Sequence, residues 1–92
     1  MEYEWDDEKA ADNFRKHGIS FQEAAYALGD PLLMEGLDDR FDYGEERYVA
    51  IAMGVNSLLT IVYTERSDIV RIISAREATR HEQDIYYRQN ST

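Results

Sequence analysis

The apolar positions change their spacing at Arg47. Before it, short polar-rich segments carry apolar residues at helical intervals; after it, β-branched runs dominate. "YEW" (3–5) is aromatic and flanked by acids, as a first strand is, and Asp6 follows as a helix N-cap with Asp7 and Glu8 in the first turn. The helix "DEKAADNFRKH" then stops at Gly18. "SFQE" (20–23) is a capping box in which Ser20 and Glu23 satisfy each other's backbone, and it opens a second helix, "FQEAAYAL", that stops at Gly29 and Pro31. "LLME" reads as a strand and leads to an acidic turn around Gly44. "RYVAIAMGV", "LLTIVYTE" and "IVRIISA", separated by the turn signals "NS" and "RSD", predict a three-stranded antiparallel meander. Ser74 and Glu77 form a second capping box at the head of a last helix, "REATRHEQDIYY". The predicted order is β-α-α-β-β-β-β-α, an α+β class with a small antiparallel sheet, two N-terminal helices and one C-terminal helix.

Ninety-two residues, 43% of them hydrophobic and seven of them tyrosine, suffice for one domain, expected over 1–92. Cysteine is absent and only two histidines are present, which removes thiolate chemistry and cysteine-ligated zinc and leaves no expected metal or cofactor. The N-terminus lacks the basic and apolar regions of a signal peptide and no apolar run reaches membrane-spanning length, so a cytoplasmic protein without membrane contact is expected.

Charge is unevenly placed. The chain carries −9 overall, but residues 1–46 hold −10 and residues 47–92 hold +1. Against this background, "YTERSDIVRIISAREATR" (63–80) gathers Arg66, Arg71, Arg76 and Arg80. Strand alternation puts Arg71 on the side of Ile69 and Ile73, with Val70, Ile72 and Ser74 on the other, and a guanidinium among isoleucines needs a partner. Arg76 and Arg80 are expected to share a helix face. If the last helix folds back over the sheet, the four border one concave surface. Ion pairing with Glu65, Asp68, Glu77 or Asp84 is the plain alternative for Arg66 and Arg80. Lys16 and His17, beside the Gly18 stop, suit either helix capping or proton transfer and phosphate binding.

Two motifs, "W-D-x-x-K-x-x-x-N-x-x-K-H-G-I-S-F" in the first half and "R-I-I-S-A-R-x-A-T-x-x-E" in the second, resemble the BrnT-type toxins of type II toxin–antitoxin systems. The resemblance runs from Tyr3 to Tyr87. It implies a RelE-like fold, metal-independent cleavage of RNA, and a cognate ribbon-helix-helix antitoxin through which alone operator DNA is bound and the operon is repressed.

Attack of a 2′ hydroxyl on the adjacent phosphate requires a base, cations for the charge gained on phosphorus, and an acid for the leaving oxygen. Arginine's planar fork suits phosphate and stays charged. Arg71 and Arg76 are therefore expected to clamp the phosphorane, with Arg66 and Arg80 guiding the RNA backbone and Glu65, Lys16 and His17 as candidates for proton transfer. The acidic excess opposes non-specific RNA binding. Two readings follow: an endoribonuclease toxin whose acidic half meets a basic antitoxin segment, or a non-catalytic binding module of the same fold that acts only through its antitoxin.

Overall fold

Asp6 starts the first helix by accepting from the backbone N–H groups of Glu8 and Lys9, and Gly18 ends it in the left-handed region at φ +71°, its N–H donating to the Phe14 carbonyl at 2.8 Å. A computed structural model describes residues 1–39 and 44–91. In chain order it contains β1 (Glu2–Glu4), α1 (Asp7–His17), α2 (Phe21–Ala27), β2 (Met34–Asp38), β3 (Arg47–Met53), β4 (Leu58–Arg66), β5 (Ile69–Glu77) and α3 (Arg80–Gln89). The α+β class and the element order expected from the sequence are both present. Residues 40–43 of the acidic stretch 30–46 lie outside the described residues.

The sheet has the order β1-β5-β4-β3-β2. Strands β2 to β5 form antiparallel neighbours, but β1 pairs parallel with β5, so the sheet is mixed rather than purely antiparallel. The reason is topological: the chain enters on the outer edge of β5, the edge the meander leaves unpaired, and crosses to the other side through α1 and α2. Helices α1 and α2 cover one face. Phe21, Leu59, Ile61 and Ile72 are its largest fully buried side chains, Trp5 meets Phe21 edge-on at 6.0 Å, and Ala24, Ala27, Ala50, Ala52 and Ala75 let helix and sheet approach closely. On the opposite face Tyr86 of α3, with Ala78 just before that helix, packs against Leu58, Met34 and Ile51. Among the described residues no helix is long and apolar enough to cross a membrane.

Two local expectations are corrected. Ser74 and Glu77 do not cap a helix, because β5 continues to Glu77: Thr60 pairs with Arg76 and Leu59 with Glu77, and the nine-residue β4 offers a ladder that a helix start would forfeit. The capping box is Thr79 with Glu82, and α3 begins at Arg80. Arg76 is therefore a strand residue and does not share a helix face with Arg80. The second correction is a bulge. Tyr63 pairs with Ile72 and Val62 with Ser74, so Ile73 is the extra residue and the alternation shifts by one after it. Ser74 consequently lies on the face of Arg71, not on that of Val70 and Ile72.

Candidate active site

On the face shared by Thr60, Val62 and Thr64 of β4, strand β5 presents Arg71, Ser74 and Arg76 in a row. Without the bulge, Arg71 and Arg76, five positions apart, would point to opposite sides. The bulge alone aligns them.

Each arginine is held by a carboxylate. Arg71 donates to Glu4, its register partner on β1, at 2.6 Å, with both side chains part-exposed at 39% and 46%. This resolves why a guanidinium sits in an apolar strand: it lies on the open face, beside a β1 acid, and not in a buried pair. Arg76 makes a two-pronged contact with Glu82 of α3, at 2.8 and 3.0 Å, and also donates to the Glu77 carbonyl. Glu82 in addition accepts from the Thr60 hydroxyl and the Thr79 N–H. The Arg76 contact, which outweighs burial, together with the Thr79 and Thr60 bonds lowers the Glu82 carboxyl to about 2. One carboxylate thus fastens the head of α3, the centre of the sheet and the Arg76 guanidinium to one another.

Arg76, Glu82, Thr60, Val62 and Ser74 line a cavity of about 340 Å³. Ser74 also borders a second cavity, of about 260 Å³, formed with Lys9, Asn13, Lys16, His17 and Ile73. The end of α1 is brought there by Asn13. This buried side chain donates to the carbonyls of Ile19 and Ala75 at 3.0 and 2.8 Å and accepts from the Ala75 N–H at 3.1 Å. Lys16 and His17 occupy the last turn of α1, where cations oppose the negative helix end, and both are exposed.

The remaining expected residues scatter. Arg66, at the end of β4, reaches Glu45 at 3.4 Å and lines a cavity of about 240 Å³ with Arg71 and Glu4, separate from that of Arg76. Arg80 is 90% exposed on the first turn of α3, 3.9 Å from Asp84. Glu65 neighbours Tyr63 on the helix-covered face, opposite the arginine row. The four arginines therefore do not border one concavity. Ser74, Thr60, Glu82 and Asn13 are the site-forming residues that pattern reading missed. The signal for Glu82 was present in "T-x-x-E", preceded by the competing "S-x-x-E" five residues earlier.

No curated protein matches the chain. A family model described as ribonuclease toxin, BrnT, of type II toxin–antitoxin system matches residues 5–82, from the Trp5 that packs on Phe21 to the Glu82 that holds Arg76. That span contains β5, both cavities beside Ser74 and the capping box of α3. The chain belongs to the BrnT family of ribonuclease toxins, proteins that act on RNA and are paired with an antitoxin.

Proposed function

We propose that the chain is a metal-independent endoribonuclease whose reacting phosphate sits beside Ser74, between Arg76 and the Lys16–His17 end of α1. The observation that carries this reading is the shift of alternation at Ile73, which puts Arg71, Ser74 and Arg76 on one face with α1 ending alongside. The 2′ oxygen loses its proton and bonds to phosphorus; the bond to the 5′ oxygen breaks and that oxygen takes up a proton. A 2′,3′-cyclic phosphate and a 5′ hydroxyl result, with no water consumed. Arg76 donates to the non-bridging oxygens as charge builds on them, and Ser74 adds a hydroxyl donor. His17 moves the protons, since an imidazole has one nitrogen to accept and one to donate, and Lys16 supplies charge. Glu65 has no part in this chemistry because it faces the other way.

Arg71 and Arg76 face Thr64 and Thr60, four positions apart on β4, so roughly 13 Å separates them along the strand at about 3.3 Å per residue. They serve different phosphates of the RNA strand rather than clamping one. Arg71 and Arg66 hold the flanking backbone, and Arg80 guides it at the edge. Metal independence is supported by the cations the chain itself brings to the phosphate, Arg76 and Lys16. A ribbon-helix-helix antitoxin that binds operator DNA and represses the operon is supported by the two sequence motifs and by family membership.

A second reading has its own observation. Glu4, Glu82 and Glu45 already engage Arg71, Arg76 and Arg66, and the net charge is −9, as in a binding module that works only through its antitoxin. The two are separated by incubating the purified chain with RNA in excess EDTA. Cleavage is expected to persist there, to yield cyclic phosphate ends and to stop when the scissile nucleotide is 2′-deoxy. A folded chain that leaves RNA intact with and without metal decides for the binding module.

A further inference from the structure

Glu65 is left over from the site above, and so is the cavity it borders. On the helix-covered face, the ends of β1, β4 and β5 and the loop after α2 enclose about 180 Å³, with walls from Tyr3, Leu28, Leu33 and Val70. Two carboxylates, Glu35 of β2 and Glu65 of β4, stand at this cavity with the Tyr63 hydroxyl, which donates to Glu35. Met1 also borders the cavity, and among the described residues the Glu65 side chain has no hydrogen bond or ion pair and Glu35 has no ion pair. Burial, then the Glu35 hydrogen bond and the charges of Glu35 and Glu65, holds the Tyr63 proton well above its usual range, so both glutamates act on the same point.

We propose that this cavity receives a lysine or arginine side chain of the antitoxin. Apolar and aromatic walls suit the methylene stem of such a residue, and paired carboxylates suit its tip. A phosphate of RNA is repelled there. A hard metal ion needs more oxygen ligands than two carboxylates and a protonated phenol supply. Charge complementarity selects the partner: the toxin half that contributes Tyr3 and Glu35 carries −10, so a basic segment is drawn to it. The cavity lies on the face opposite Arg71 and Arg76, so the antitoxin gains a hold on the toxin that does not depend on the RNA-binding groups.

The inference rests on the antitoxin partnership, and its test keeps the two apart. Affinity for the purified cognate antitoxin is measured by calorimetry for wild type, Glu35→Gln, Glu65→Gln and the double variant. Glutamine at 35 still accepts from Tyr63 and Glu65 is exposed, so melting curves are expected to match wild type. Each single change is expected to weaken binding about tenfold, the double change more, while free Glu35→Gln toxin cleaves RNA at the wild-type rate. A double variant that binds like wild type overturns the inference and leaves the partnership standing; a wild-type chain that does not bind the antitoxin overturns the partnership itself. Loss of cleavage in Glu65→Gln with full antitoxin affinity also overturns it, and returns Glu65 to proton transfer.

Discussion

Asn13 occupies the place of a strand that is not there. β1 pairs with β5 only as far as Arg71, and beyond it the carboxamide of Asn13 supplies both a donor and an acceptor to the backbone of Ala75. Its remaining N–H fixes the Ile19 carbonyl after the helix stop, so one buried side chain sets the position of Lys16 and His17 relative to β5. Asn13→Ala leaves these buried backbone groups unsatisfied and is expected to cost about 3 kcal/mol, read as a lower denaturation midpoint in urea. An unchanged midpoint would show that water replaces the side chain. Asn13 belongs to the motif that marks the family, yet its role was not legible, because its strand partner lies 62 positions away. Arg71 and Arg76 were legible as chemistry. Their common face was not, since strict alternation has no place for the extra residue at Ile73.

At the scale of the element, α3 is held by two carboxylates at its two ends. Glu82 fastens its first turn. Asp30, from the loop after α2, fastens its last: burial raises this carboxyl, but bonds from the Tyr86 hydroxyl at 2.6 Å and the N–H groups of Met53 and Leu32 prevail and keep it below the ordinary range. Burial and the same bond raise Tyr86 to about 12. Because both acids are depressed in the folded state, their stabilisation is present above the unfolded values and lost as pH falls through the folded ones. For Glu82 the window runs from about 4.5 down to about 2. NMR shifts of α3 and of the Arg76 guanidinium are expected to move together across it, and Glu82→Gln is expected to remove the Arg76 response. If Arg76 keeps its environment while α3 moves, Glu82 does not couple them. Helices α1 and α2 were readable from the sequence because Asp6, Gly18 and Ser20 punctuate them locally. The start of α3 was misplaced because two candidate capping boxes stand five residues apart, and only the pairing of β5 with β4 decides between them.

Over the whole molecule, the −9 charge and the ribonuclease family are at odds only if charge is counted as a sum. Among the described residues, Glu4, Glu45 and Glu82 hold guanidinium groups along the arginine row, while Glu35 and Glu65 stand on the opposite face with no ion pair. Association with a basic antitoxin is then steered by field. Raising salt from about 0.05 M to about 1 M, where the Debye length shrinks to about 3 Å, is expected to slow association by tenfold or more in stopped-flow. A constant rate over that range would count against electrostatic docking. Sequence alone showed the uneven charge, but not the division of its acids between two faces, which depends on register.

The most direct measurement follows RNA cleavage and thermal melting side by side in Arg76→Ala, Arg76→Lys and Arg71→Ala. The expected result is a loss of about a hundredfold or more in Arg76→Ala, little recovery in Arg76→Lys because the fork is gone, and a smaller loss in Arg71→Ala, whose part-exposed pair with Glu4 contributes at most about 1 kcal/mol to stability. An Arg76→Ala protein that melts as the wild type does and still cleaves RNA at its rate would remove Arg76 from the reaction and contradict the assignment of the centre to β5.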